Sequence, residues 1–165
     1  MTHTLIPIMI FSLFINMLGA KPLELGAPAP QVTAVDHEGT RIDLGAALNE
    51  GTTVIFFYPK ALTPGCTKQA CSLRNAWDEL QARKVKLFGV SSDTTETQQR
   101  FRDKHGLPFT LIADTNREVS KAFGKHRFSR QAYIFKSGKL VWRDLSAATT
   151  DQASDVLAAL DEIKQ

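Results

Sequence analysis

An apolar run, Thr53 to Tyr58, leads within a few residues into Thr63-Pro64-Gly65-Cys66-Thr67-Lys68-Gln69-Ala70-Cys71, and the pair leaves few folds open to this chain. The run has the β-branched and aromatic make-up of a buried strand, and an amphipathic helical pattern opens at the second stretch and continues to about Lys84. A cysteine therefore stands at a strand-to-helix turn. The first N–H groups of a helix have no partner within the helix, and its dipole places partial positive charge there, so an anionic sulfur is favoured at that place. Thr63 can offer its hydroxyl to the sulfur or to a bound oxygen species, Pro64 fixes the backbone, and Gly65 permits a close approach. With one glycine and no Gly-Lys-Ser/Thr ending, the stretch is not a phosphate loop.

Cys71 is the second of two cysteines. Residues five apart on an unbroken helix are separated by about 7.5 Å along the axis and about 140° around it, so their Cα atoms lie about 8 to 9 Å apart. A disulfide needs less than about 7 Å. A Cys66–Cys71 bond thus requires the first turns of the helix to unwind. A structural staple is seldom put where it breaks the element that holds it, which favours a redox pair over a staple or two inert thiols.

The run Phe57-Tyr58-Pro59-Lys60-Ala61-Leu62-Thr63-Pro64-Gly65-Cys66-Thr67, with Gln69-Ala70-Cys71 and Leu73-Arg74 behind it, resembles the bacterioferritin comigratory protein (BCP/PrxQ) branch of the peroxiredoxins. The resemblance extends from about Leu23 to the C-terminus. It implies a thiol peroxidase on a thioredoxin-like α/β fold, a central mixed sheet flanked by helices with an N-terminal β-hairpin extension. It also implies that Cys66 is the peroxidatic cysteine and Cys71 the resolving one, that Thr63, Pro64 and Gly65 shape the peroxide site, and that no cofactor or metal is needed. In Arg130-Gln131-Ala132-Tyr133-Ile134-Phe135 the spacing resembles the family's Arg-x-x-aromatic strand, so Arg130 is expected at the sulfur, with Arg127 as the competing choice. Four positions depart from the common pattern: Gln69 stands where an acidic residue is frequent, Ala61-Leu62 is more apolar than usual, and Tyr133 replaces a phenylalanine.

An arginine matters for a quantitative reason. Lowering a thiol pKa from about 8.5 to about 6 raises the thiolate fraction at neutral pH roughly 30-fold, but a Brønsted slope near 0.45 lowers intrinsic nucleophilicity about 13-fold. Most of the rate must come from stabilising the charge that grows on the departing oxygen, for which Arg130, the Thr63 hydroxyl and the backbone N–H groups near Cys66 are the donors at hand.

In chain order, Gln31 to Val35 and Thr40 to Leu44 are expected to form a hairpin across Asp36-His37-Glu38-Gly39. Beyond the cysteine helix, Val85 to Val90 is expected as a buried strand, Thr94 to His105 as a helix stopped by Gly106-Leu107-Pro108, Phe109 to Ile112 as a strand, and Asn116 to Phe123 as a short helix ended by Gly124. Ala132 to Phe135 and Leu140 to Arg143 read as a hairpin, and Asp151 to Ile163 as the closing helix. Strands alternating with helices predict βαβ units and a sheet covered on both sides.

Residues 1–20 contain no Asp, Glu, Lys or Arg, and Leu5 to Leu18 is almost wholly apolar. The run is short for a bilayer span, which takes about 20 residues, and fits a secretory leader cut after Ala20, ahead of a single domain over 21–165. A start at Met17, giving a cytoplasmic protein, is the competing reading. The net charge of +3 comes from 20 Lys and Arg interleaved with 17 Asp and Glu, a solvated mixed surface rather than a nucleic-acid face. The histidines at 3, 37, 105 and 126 are dispersed, expected at the surface or in turns, and make no zinc spacing with the cysteines. Expected partners are peroxides and thioredoxin or another dithiol reductant, with no nucleic acid and no stable membrane insertion. With both cysteines in one chain, a monomer is the expectation. Leu62 and Phe57 suggest organic hydroperoxides beside hydrogen peroxide. Two rivals stand: a thiol-disulfide oxidoreductase, whose usual Cys-x-x-Cys is absent here, and a thioredoxin-like binding module with inert thiols.

Overall fold

The computed structural model describes residues 21–163, and the expected leader at 1–20 lies outside them. The described elements run β1 (Thr33–Val35), β2 (Arg41–Asp43), α1 (Leu44–Asn49), β3 (Thr52–Phe57), α2 (Pro64–Asn75), α3 (Trp77–Ala82), β4 (Val85–Ser91), α4 (Thr95–His105), β5 (Thr110–Ala113), α5 (Glu118–Ala122), β6 (Gln131–Lys136), β7 (Lys139–Asp144) and α6 (Gln152–Ile163).

β3 is the centre of a five-stranded sheet of order β5-β4-β3-β6-β7, parallel to β4 on one side and antiparallel to β6 on the other. Side chains alternate across a strand, so an uninterrupted apolar β3 must be covered on both faces. Val54, Phe56 and Tyr58 join a cluster with Cys66, Ala70 and Leu73 of α2, Leu80 of α3, Phe101 of α4 and Val156, Ala159 and Leu160 of α6. Ile55 and Phe57 point the other way, into a cluster with Leu44 and Leu48 of α1, Val119 of α5 and Phe123. The layers and the mixed sheet are those expected of a thioredoxin-like fold, and the β1–β2 hairpin precedes the core.

Two differences from the sequence reading have local causes. α1 was not expected, since its first residue was assigned to the preceding strand; Asp43 caps it by accepting the Ala46 N–H at 2.8 Å, and Leu44 and Leu48, one turn apart, are buried. The pattern from the cysteine to Lys84 is two helices, divided at Ala76, whose φ of −93° and ψ of 7° leave the helical region. The bend swings Trp77 against Phe109, with ring centroids 6.0 Å apart, and α3 onto β4. Lys84 ends the segment in the left-handed conformation, φ 57°.

His37 is in its expected turn yet buried, and its Nδ1 accepts the Leu111 N–H at 3.2 Å. Its job is to satisfy a backbone donor of β5. Among the described residues no helix is long and apolar enough to cross a membrane.

Candidate active site

The polypeptide leaves β3 at Phe57 and must turn into α2 within a few residues. Leu62 takes a left-handed conformation, φ 63°, which costs a residue with a Cβ about 1–2 kcal/mol and brings Thr63 to the start of the helix. Thr63 is the N-cap, Pro64 occupies the first turn where its missing N–H is no loss, and the first helical bond runs from the Thr67 N–H to the Thr63 carbonyl at 2.9 Å. The N–H groups of Gly65 and Cys66 precede that bond and are among the donors a helix start leaves free.

Cys66 is fully buried at this turn, Cys71 is half-buried, and both are free thiols. They sit on one continuous helix, Pro64–Asn75, so the separation argued from the spacing applies and a bond between them requires α2 to open.

Arg130 reaches the sulfur from the far side of β3. Antiparallel pairing sets Phe57 opposite Gln131, which puts Arg130 at the same end of the sheet as the α2 turn. Its Nη1 donates to Cys66 Sγ at 3.1 Å and to Gln69 Oε1 at 3.1 Å. The guanidinium lies directly over Gly65, where a Cβ would stand 2.7 Å from Nη2. That close approach is what the glycine permits. Arg127 is exposed, with its guanidinium over the Phe128 ring at 5.7 Å, and is turned to a different neighbour. The Thr63 hydroxyl donates to the Lys60 carbonyl at 2.8 Å, so its lone pairs remain open to accept, while donation to a ligand requires the hydrogen to turn away from Lys60.

The surrounding loops are tied down by buried polar bonds. Asp93 Oδ2 accepts from the Ala61 N–H and the Ser91 hydroxyl, both at 2.7 Å, fixing the loop before Thr63. Gln98 accepts from the Tyr58 hydroxyl at 2.5 Å and donates to the Ile112 carbonyl at 2.7 Å. Burial pushes the Tyr58 phenol well above its ordinary range, so it remains a neutral donor.

Lys125 was not anticipated. Its Nζ donates to the carbonyls of His126 and Arg127 at 3.0 and 3.3 Å, which pins the loop that delivers Arg130, and it lies 5.8 Å from the centre of the Phe57 ring. Burial, helped by nearby Arg117, lowers this lysine to about 8, against smaller upward pulls from Asp114 and Cys66. Phe57 itself belongs to the cluster on the opposite face of the sheet from Cys66, so it does not line the sulfur's surroundings as the sequence suggested. Leu62 packs against the cluster that holds Cys66.

Nothing in the sequence marked Gln152. Gln69 Nε2 donates to Gln152 Oε1 at 2.8 Å, joining α6 to the arginine across 83 residues of sequence. The assembled geometry offers an attacking sulfur, a fixed guanidinium on it, and two helix-start N–H groups beside it, which suits a reaction in which negative charge moves away from sulfur onto oxygen.

Comparison with known proteins agrees with the geometry. The chain is 36% identical over 121 residues to Peroxiredoxin bcp1 of Schizosaccharomyces pombe, a match covering 70% of this chain and 62% of the relative. It is 41% identical over 103 residues to Peroxiredoxin Bcp of Escherichia coli K12, covering 62% and 65% of the two. The chain thus spans under two thirds of the length of these two curated relatives. In three dimensions it is similar to the crystal structure of Peroxidoxin BcpB from Mycobacterium tuberculosis, with a TM-score of 0.80, 27% identity and coverage of 87% and 99%. Residues 25–143 match the AhpC/TSA family model, and the chain belongs to the AhpC/TSA family.

Proposed function

We propose that this chain is a thiol peroxidase that reduces hydrogen peroxide and organic hydroperoxides, with Cys66 as nucleophile and Cys71 as the resolving thiol. The observation that carries the reading is the Arg130 Nη1 to Cys66 Sγ contact of 3.1 Å at a helix start. The Cys66 thiolate attacks the OH-bearing oxygen of the peroxide: an S–O bond forms, the O–O bond breaks, and the electron pair leaves on the departing oxygen, which takes a proton from water and becomes water or an alcohol. Arg130 and the Gly65 and Cys66 N–H groups stabilise that departing charge, and Thr63 orients the peroxide by accepting its hydrogen. Such stabilisation is worth about 10²–10³ in rate per donor.

Cys66 is then a sulfenic acid. α2 opens, the Cys71 sulfur attacks Cys66, an S–S bond forms and water leaves. Thioredoxin or another dithiol protein returns both thiols by two exchange steps. If residues 1–20 act as a leader, that donor is one outside the cytoplasm. Both cysteines belong to one chain, so the cycle closes within a monomer. Leu62 supports the organic hydroperoxides. The domain that performs the cycle spans 21–165.

The test mixes reduced protein with sub-stoichiometric hydrogen peroxide, quenches in acid, alkylates and measures intact mass. Wild type is expected to lose two hydrogens within a second, Cys71→Ser to hold a sulfenic acid, and Cys66→Ser not to react. Oxidation no faster than that of free cysteine, alike in both variants, would overturn the reading in favour of disulfide exchange or a binding role.

A further inference from the structure

Gln152 opens α6, is fully buried, and meets the site through a single neighbour. Gln69 Nε2 donates to Gln152 Oε1 at 2.8 Å, and Gln69 Oε1 accepts at 3.1 Å from Arg130 Nη1, the nitrogen that also donates to Cys66 Sγ. Chemistry forces the direction of this chain. A guanidinium has only donors, so Gln69 must turn its oxygen to Arg130; its amide nitrogen then faces Gln152, which has to answer with oxygen. The consequence falls on Gln152 Nε2, which is buried with no hydrogen-bond partner, one of two such side-chain atoms among the described residues. An apolar side chain of similar volume would remove this unpartnered donor but strand Gln69 Nε2, so the amide at 152 answers to Gln69 and not to packing.

We propose that Gln152 is a positioning residue for the peroxide step, acting through Gln69 to hold the Arg130 guanidinium on Cys66; this rests on the peroxidase reading above. Two amides in series fix the arginine, and only the first of them, Gln69, touches it. The support is rigid. The next residue of α6, Ala153, donates its N–H to Ser72 Oγ of α2 at 3.0 Å, so α6 presents Gln152 from a helix already bound to the one that carries the sulfur. Tyr58 and Lys125, both in electrostatic reach of the sulfur, bond to Gln98 and to the His126 and Arg127 carbonyls and not to Gln152.

The test compares the reduced full chain with Gln152→Leu, Gln152→Glu, Gln69→Leu and the double leucine variant. The rate of sulfenic acid formation with hydrogen peroxide and the thermal midpoint are measured for each. Gln152→Leu is expected to react about ten-fold more slowly, the scale of one hydrogen bond to a charged network, while its thermal midpoint stays near that of wild type, because the stranded Gln69 Nε2 offsets the removal of the unpartnered Gln152 Nε2. Gln152→Glu keeps an acceptor for Gln69 and is expected within about three-fold of wild type on the same scale. In the Gln69→Leu background, Gln152→Leu is expected to add nothing, because its only route to the arginine has gone. The proposal is overturned if Gln152→Leu reacts at the wild-type rate, if it outpaces Gln152→Glu as a packing role requires, or if the two leucine substitutions multiply. A wild type no faster than free cysteine overturns the peroxidase reading itself, a result distinct from these.

Discussion

Gly65 shows how one residue divides between fold and chemistry. In a helix, alanine is favoured over glycine by up to about 1 kcal/mol, yet a Cβ at 65 would stand 2.7 Å from Arg130 Nη2. That nitrogen is the end of a flexible side chain and can move, so the site suffers rather than the fold. Gly65→Ala is expected to melt at or slightly above the wild-type temperature while its peroxide rate falls at least about ten-fold, since misplacements near 1 Å cost up to about 10²; calorimetry beside stopped-flow kinetics checks the split. Lys125 gives a pH prediction of definite sign. Its folded value of about 8 lies below the ordinary 10.5, so between those limits the unfolded chain binds more protons and stability rises with pH. The full benefit is present above 10.5 and lost as pH falls to about 8, below which the penalty is constant. Wild-type resistance to urea is therefore expected to rise between about pH 8 and pH 10.5, and that part of the rise to be absent in Lys125→Met. Of these residues, Cys66, Thr63, Pro64 and Gly65 were legible because a helix start is written in adjacent letters. Lys125 was not, because its burial comes from Phe57 and the folded-over loop, which no local pattern announces.

Among the elements, α2 is the one whose stability matters to function. In the proposed cycle it is wound to present Cys66 beneath Arg130 and opens to bring Cys71 to it. Gln69–Gln152 and Ser72–Ala153 tie it to α6. Ser72→Ala removes the acceptor of the Ala153 N–H; it is expected to lower stability by about 1 kcal/mol and to speed disulfide closure a few-fold, by up to about five-fold on that energy, with the peroxide step little changed. Single-turnover quench-flow separates the two steps. The strands and most helices were legible from apolar periodicity and from stops such as Gly106, which closes α4 with φ 57°. Two features were not. α1 is six residues long, too short for a helical period to stand out from the strand before it. The break at Ala76 falls on the residue type with the highest helix propensity, and its cause, the seat of Trp77 on Phe109, lies 33 positions away in sequence, from 76 to 109.

At the scale of the whole molecule, the sheet is a device for convergence. Two apolar clusters hold β3 between them, and its C-terminal end receives the α2 turn, the arginine that precedes β6 and, through Gln69, the start of α6. The contact between Arg130 and Cys66 spans 64 residues and depends on β3 pairing with β6 in a register that sets Phe57 opposite Gln131. A one-residue slip would turn β6's core side chains to the wrong face, so core packing and active-site geometry are fixed together. The place of Arg130 could be anticipated only because a resemblance supplied that long-range pairing; Gln152 had no such help. The measurement that bears most directly on the account is the second-order rate of the reduced protein with hydrogen peroxide, compared with Arg130→Met under identical conditions and with both proteins shown to be folded. The account predicts that wild type reacts orders of magnitude faster than free cysteine and that Arg130→Met loses about 10²–10³ of that rate. Equal rates in the two proteins would contradict it, for the arginine on the sulfur would then have no part in breaking the O–O bond.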